Sequence, residues 1–546
     1  MCRDRVALRF LQDGEGSEER LTDGDLDQRA RALAARLQQW GGTGDRVLLL
    51  FPPGPGYVVA FLGCLYAGRV AVPAYPPRNR RGMPRLRAVV EDAEPRTVLT
   101  TESLEPAVRT LLGEETAARA DLLSLERVDD SAASDWREPD TDAESVAFLQ
   151  YTSGSTSTPK GVLVRHGDLL ANQQLIREAF GTTPESVIVT WLPLYHDMGL
   201  IGGLLHPLWL GCECTLLSPF HFLQRPARWL EAVSRYRATV SGGPNFAYDL
   251  CVDRVSPEAR EELDLSCWEV AFNGAEPVRA ETLDRFTDAF AGRGFDRRAF
   301  FPCYGLAEAT LLVTGGGGSG GREKRPPRVR AVDAAELERH RAVEASPVSE
   351  ASPAVRRLVS SGAPPSGVVV RVVDPETRRE VEAGRVGEIW ISGPSVTAGY
   401  RNRPETNREV FDARLVDLDG GPFLRSGDLG FLDDGELFVT GRLKDLIVIR
   451  GRNLYPQDVE WTAGASHPSL RAGGGAAFSL EVAGEERLGL AQEQDFRQDP
   501  DLDQVAQAIR RAVAEEHEVT IEVLALLRPG QVPKTTSGKV QRRACR

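Results

Sequence analysis

The sequence predicts an α/β protein. We expect a large N-terminal domain with doubly wound parallel sheets, a small β-rich subdomain, and a small α+β C-terminal domain. Three observations carry this. Short uninterrupted apolar runs read as strands covered on both faces. They alternate with segments of helical periodicity, the rhythm of parallel βα layers. From about Gly315 the texture turns glycine-rich and charged before strand-like patterning resumes.

The elements follow in order. Residues 25–39 place Leu26, Ala30, Leu33 and Leu37 on one helical face. Residues 47–51, Val-Leu-Leu-Leu-Phe, read as a buried strand; a helix over 57–67 and strands at 70–72 and 97–101 follow. Residues 145–150 form a strand that runs into a hydroxyl-rich loop. Further buried strands are expected at 187–189, 215–217 and 270–272. Residues 322–365 are charged and weakly patterned. Strands at 368–373 and 386–391 mark the β-rich subdomain, about 366–441, which completes an N-terminal domain of residues 1–441. The C-terminal domain, 442–546, carries an amphipathic helix (Leu502, Val505, Ala506, Ile509, Val513) and a strand at 519–527. No internal repeat is visible.

The hydroxyl-rich loop is the most informative segment. Residues 151–161 read Tyr-Thr-Ser-Gly-Ser-Thr-Ser-Thr-Pro-Lys-Gly. Thr152, Ser153, Ser155 and Thr156 supply hydroxyl donors, and Gly154 lets backbone N–H groups approach an anion. Lys160 adds a mobile positive charge. Such a loop suits a triphosphate. It is not a Walker A loop, because no Gly-Lys-Ser/Thr closes it at the required spacing. The plain alternative is a Ser/Thr-rich surface turn.

Composition excludes several classes. The chain has 546 residues, 41% hydrophobic and 27% charged, with a net charge of −13. That balance fits a globular protein and argues against nucleic acid as the main partner. The N-terminus lacks the apolar core of a signal peptide. The longest apolar stretch, 199–211, contains His206 and is too short to span a bilayer; we read it as buried beside a ligand pocket. Eight cysteines are scattered, with Cys212 and Cys214 the one close pair, and no zinc pattern forms. The expectation is a cytoplasmic protein, not an integral membrane one.

Four further motifs lie downstream: Tyr304-Gly305-Leu306-Ala307-Glu308, Arg425-Ser426-Gly427-Asp428, Gly441-Arg442-Leu443-Lys444-Asp445, and Pro533-Lys534-Thr535-Thr536-Ser537-Gly538-Lys539. With the hydroxyl loop, their order resembles the adenylate-forming superfamily of acyl-CoA synthetases, adenylation domains and luciferases. Ala71-Val72-Pro73-Ala74-Tyr75-Pro76-Pro77, the segment Trp191 to Gly202 and the segment Ile449 to Asp458 are similar to the fatty acyl-AMP ligase branch.

That resemblance implies activation of a fatty acid with ATP and Mg²⁺, release of pyrophosphate, and transfer of the acyl group to the phosphopantetheine thiol of an acyl carrier protein. Such carriers occur in polyketide and nonribosomal peptide pathways. It also implies roles. Lys539 bridges carboxylate and phosphate, and Glu308 holds magnesium. Tyr304, with Gly305 and Leu306, faces adenine, and Gly274, Ala275 and Glu276 form the opposite wall. Asp428 accepts the ribose hydroxyls, and Arg442 forks onto ribose or phosphate. His196 lies near the α-phosphate; a structural histidine is the alternative. Lys444 marks a hinge on which the C-terminal domain swings. A family insertion within 321–365 restrains that swing and disfavours free coenzyme A. The rival readings are an acyl-CoA synthetase and, less favoured, a non-catalytic ATP- or acyl-binding regulator.

Overall fold

Two parallel-rich sheets form the frame. In the computed structural model the described residues are 3–76, 83–117, 120–152, 159–316, 325–345, 352, 354–417, 420–449, 452–482, 485–495, 501–535 and 538–546. One sheet has six strands in the order Asp121–Ser124, Thr97–Thr100, Arg46–Leu50, Val70–Ala74, Val146–Thr152, Lys160–Arg165. The other has eight, in the order Leu312–Gly315, Phe300–Gly305, Val270–Asn273, Val240–Gly242, Val187–Thr190, Glu213–Leu217, Val6–Leu11, Glu18–Thr22. The inner pairs are parallel. Lys160–Arg165, Leu312–Gly315 and Glu18–Thr22 close their edges antiparallel.

Local chemistry sets the helix starts. Thr22 caps the helix Asp23–Trp40: its hydroxyl accepts from the Asp25 N–H, and the Asp25 carboxylate accepts from the Thr22 N–H. Pro55 opens the helix Pro55–Tyr66, where its missing N–H costs nothing. A core joins the two sheets through Leu33, Leu49, Phe61, Phe148 and Leu200. A second core, against the eight-stranded sheet, is aromatic: Trp229, Tyr248, Trp268, Phe286 and Phe300 interlock, mostly edge to face. Their polar ends are satisfied. Trp229 Nε1 donates to Ser241 Oγ at 2.8 Å, and the Tyr248 hydroxyl donates to the Phe272 carbonyl at 2.9 Å.

Beyond the frame, Val369–Val373, Gly387–Ser392, Leu424–Asp433 and Glu436–Arg442 make an antiparallel meander. Leu470–Val482, Glu485–Gln494 and Ile521–Leu527 form a sheet packed on the helices Pro456–Ala465 and Leu502–His517 through Val459, Leu490, Val505, Ile509 and Val513. Leu502 is not part of that stripe. It is the first helical residue and is 46% exposed; burial begins a turn later, at Val505.

The weakly patterned stretch is ordered where described. Val329–Asp333 and Val355–Val359 pair antiparallel, and Asp333 caps the short helix Ala334–Glu338. Charge holds it: Arg328 and Arg330 both reach Asp433, Arg330 at 2.7 Å. Long-range ion pairs leave no periodic trace, so the reading of this segment as weakly patterned missed its strands.

The apolar stretch takes an uncommon form. Met198–Leu205 is a π-helix, followed by the α-helix His206–Leu210. A Cβ on Gly199 would lie 2.3 Å from the Pro193 carbonyl oxygen, so only glycine fits. His206 is fully buried, with its ring nitrogens 2.7 Å from Gln173 Oε1 and 2.8 Å from Thr182 Oγ1. Burial pushes its pKa down to about 3, so it stays neutral. No helix among the described residues is long and apolar enough to cross a membrane.

Candidate active site

The two sheets, the meander and the C-terminal domain surround a cavity of about 1650 Å³. Residues from all of the motifs reach it, and each is placed by a strand end or a strained turn.

Thr152 and Lys160 face each other across the register of their strands. Ser153, Gly154, Ser155 and Thr156, between them, lie outside the described residues. Lys160 Nζ sits 4.7 Å from the centre of the Tyr400 ring. Burial first, then the charge of Lys444, push the Lys160 pKa down; Glu308 opposes them.

Glu308 follows the strand Phe300–Gly305. The Tyr400 hydroxyl donates to its Oε1 at 2.7 Å, and the Thr397 N–H and hydroxyl both bind its carbonyl at 3.0 Å. Two residues on, Thr310 is buried with φ +68°, a left-handed conformation that non-glycine residues rarely adopt. Its hydroxyl holds it there, donating to the Ser395 carbonyl at 2.7 Å. Among the described residues no group of three His, Cys, Asp or Glu could enclose a metal. A magnesium ion at Glu308 would therefore complete its shell with phosphate oxygens and water, its usual habit.

Tyr304, Asp428 and Arg442 form one unit. The Tyr304 hydroxyl donates to Asp428 Oδ2 at 2.8 Å, and Arg442 Nε to Oδ1 at 2.9 Å. Asp428 is 7% exposed, and its charge raises the Arg442 pKa. Gly274, Ala275 and Glu276 follow the strand Val270–Asn273. A Cβ on Gly274 would come 2.8 Å from the Cys303 carbonyl oxygen, and Ala275 has φ +72°. Gly305 is more tightly constrained: a Cβ there would lie 1.8 Å from the Leu311 carbonyl oxygen. Leu306 lines the cavity beside it.

His196 and Asp197 enter from the π-helix side. Asp197 caps that helix, accepting from the Met198 N–H at 2.8 Å. Lys539 comes from the C-terminal domain, in a turn where its N–H donates to Thr535 Oγ1 at 3.0 Å and Gly538 takes φ +86°. Its side chain is open to the cavity's solvent yet surrounded by protein. Desolvation and the Arg442 charge push its pKa down, while Asp197, Asp428 and Glu276 pull it up. Asp197 shows the reciprocal effect: burial raises its pKa and Lys539 lowers it.

Part of the lining of the same cavity is apolar: Ile176, Phe180, Met198, Gly202, Phe272 and Leu311 all border it. Phe180 stacks on Phe272 with centroids 6.0 Å apart. At Gly202 an added Cβ would meet the Leu311 side chain at 3.2 Å, so glycine leaves that part of the lining uncrowded.

Three residues escaped the sequence reading. Tyr400, which steadies Glu308, has no motif of its own. Arg356, inside 321–365, lies 3.5 Å from Asp458 and 3.2 Å from Glu516 of the C-terminal domain. From the same segment, Glu338 binds Arg452 at 2.7 Å and accepts from Asn453 through its carbonyl at 2.8 Å.

The model of the AMP-binding enzyme family matches residues 1–401. The chain belongs to that family. Among AMP-binding enzymes it is similar to the medium-chain fatty acid–acyl carrier protein ligase JamA of Moorena producens (strain JHB), 46% identical over 99% of this chain and 92% of that protein. It is similar to the long-chain fatty acid–AMP ligase FadD32 of Mycolicibacterium smegmatis, 37% identical over 100% of this chain and 91% of that protein. It also matches the crystal structure of a fatty acyl-adenylate ligase from L. pneumophila in complex with acyl adenylate and pyrophosphate, 40% identical, TM-score 0.78, over 100% of this chain and 93% of that one. This AMP-binding enzyme is thus placed among the fatty acyl-AMP ligases.

Proposed function

We propose that this AMP-binding enzyme joins a fatty acid to AMP with release of pyrophosphate, then passes the acyl group to the phosphopantetheine thiol of an acyl carrier protein. The observation that carries the reading is the convergence of Lys539, Lys160, Glu308 and the Tyr304–Asp428–Arg442 unit on one cavity whose lining is partly apolar.

A carboxylate oxygen attacks the α-phosphorus of ATP; the bond to the bridging oxygen breaks, and pyrophosphate leaves with the electron pair. Negative charge gathers on phosphoryl oxygens, so preorganised cations matter more than a proton-transfer base. Lys539 bridges the carboxylate and the α-phosphate. Lys160 and the hydroxyls around it hold the outer phosphates. Asp428 takes the ribose hydroxyls, steadied by Tyr304 and Arg442. His196 borders the acyl entrance. Bound Mg²⁺ supplies charge neutralisation to the phosphates, and Glu308 is the residue that would hold it. In the second step the thiol sulfur attacks the acyl carbonyl and AMP departs.

The carrier protein is favoured over coenzyme A by the segment 321–365. Arg356 and Glu338 tie it to the C-terminal domain, whose swing on the hinge at Lys444 the thiol step requires. A cytoplasmic location accords with the free, buried thiols of Cys64, Cys214 and Cys251. The test supplies ATP, a panel of fatty acids, and holo-carrier or coenzyme A, and identifies products. Acyl-adenylate with acyl-carrier product is expected. Efficient acyl-CoA formation would favour the CoA synthetase, and no pyrophosphate release would favour the non-catalytic regulator.

A further inference from the structure

We propose that Tyr400 is a positioning residue that holds the Lys160 ammonium and the Glu308 carboxylate apart, so that both charges stay available to magnesium and the triphosphate; this rests on the adenylation reading above. The tyrosine borders the cavity and is 7% exposed. Its two ends meet two different groups. The hydroxyl donates to Glu308 Oε1 at 2.7 Å, and the ring faces Lys160 Nζ, 4.7 Å from its centroid.

The backbone around Tyr400 joins the same two places. Thr397 binds the Glu308 carbonyl through its N–H and its hydroxyl. Gly399 accepts from the Leu163 N–H at 2.8 Å, and the Arg401 N–H donates to the Gly161 carbonyl at 2.8 Å, one residue past Lys160. Residues 397–401 thus cross from the Glu308 turn to the strand that begins at Lys160. Tyr400 itself is clasped by Asn407, whose Oδ1 accepts from its N–H and whose Nδ2 donates to its carbonyl, both at 2.8 Å. Its ring packs edge to face on Phe411, with centroids 5.1 Å apart. Phenylalanine at 400 would keep the clasp and the ring packing and lose the hydroxyl alone.

Opposite charges that share a partly buried cleft attract strongly. With nothing between them, a lysine and a glutamate so placed close to an ion pair and neutralise each other. Among the described residues neither Lys160 nor Glu308 has an ion pair. The tyrosine explains how. A ring face attracts an ammonium without cancelling its charge, and a neutral hydroxyl orients a carboxylate without cancelling its own. Burial and the Glu308 charge push the Tyr400 pKa up, so the hydroxyl keeps its proton.

The experiment measures binding on the full chain, comparing Tyr400→Phe and Tyr400→Leu with wild type. Equilibrium dialysis of labelled ATP in the presence of a chelator reports on Lys160. Titration of the ATP-loaded protein with Mn²⁺, followed by electron paramagnetic resonance, reports on Glu308. Tyr400→Phe should weaken Mn²⁺ binding about 10-fold and change metal-free ATP affinity less than about 2-fold. Tyr400→Leu should weaken both, ATP by about 3- to 10-fold. Glu308→Gln should then raise metal-free ATP affinity at least about 3-fold more in the leucine background than beside tyrosine, because it removes the carboxylate that captures Lys160. Unmoved Mn²⁺ affinity in Tyr400→Phe would overturn the proposal, and so would an equal gain from Glu308→Gln in both backgrounds. Should Tyr400→Leu fail to fold, the Mn²⁺ affinity of Tyr400→Phe still decides. A wild type that binds ATP and Mn²⁺ yet releases no pyrophosphate with any fatty acid would reject the adenylation reading itself, a separate outcome.

Discussion

Lys539 and Asp197 move each other's pKa in opposite senses across the cavity, which makes the lysine the residue most exposed to test. Lys539→Ala should slow single-turnover acyl-adenylate formation by ~10²–10³. ATP affinity should change little, because Lys160 and its loop remain. A rate near wild type would remove Lys539 from the chemistry. Its lowered pKa adds a pH signature. The charged form is needed, so adenylation should fall as pH rises through a value below the ordinary 10.5 of a lysine. Glu308 makes a different prediction. Glu308→Gln keeps its shape and its bond from Tyr400 but removes the charge, so the magnesium titration should move to higher concentration along with the loss in rate. An unmoved titration would make Glu308 structural.

At the scale of elements, much was legible because burial writes itself into composition. The runs at 47–51 and 270–272 are strands in the structure, Arg46–Leu50 and Val270–Asn273, since a strand covered on both faces needs no polar residue. The helix at 25–39 appears as Asp23–Trp40 for the same reason, its Leu26, Leu33 and Leu37 all buried. The motif residues could be picked out in the sequence, but their geometry could not. Nothing local tells that Tyr400 lies against Glu308, or that Arg356 reaches the C-terminal domain, because both depend on contacts far apart in the chain. The π-helix was read only as apolar and buried. Its consequence is testable. Gly202 lies against Leu311 in the apolar lining, so on the proposed function Gly202→Val should shorten the preferred fatty acid. Each methylene no longer buried removes about 0.8 kcal/mol, roughly 4-fold in kcat/KM per carbon. Product profiles across a chain-length series check this; an unshifted optimum would mean that the acyl chain runs elsewhere.

On the proposed function, acceptor choice depends on how firmly residues 442–546 are held. Asp458 lies between Arg356, Glu516 and Arg279, and burial raises its pKa from 3.8 to about 6. The docked arrangement therefore binds the proton more tightly than an exposed carboxylate would. Docking is strongest below the lower value and weakens as pH rises towards about 6, after which it is flat. Asp458→Asn should erase that slope, measured as interdomain distance between a pair of fluorophores across the acid range. Arg356→Ala should loosen the same contact and raise acylation of free coenzyme A relative to carrier. A variant whose acceptor ratio stays at wild type would separate the segment 321–365 from acceptor choice.

The π-helix Met198–Leu205 bears on how such a protein diversifies. A wide helix is what remains when an α-helix accommodates an additional residue between fixed ends. Deleting one residue there would let the segment tighten and would rotate the position of Gly202 away from the cavity it lines. Pocket depth in this lineage could thus change through a single codon gained or lost, with no substitution along the pocket wall.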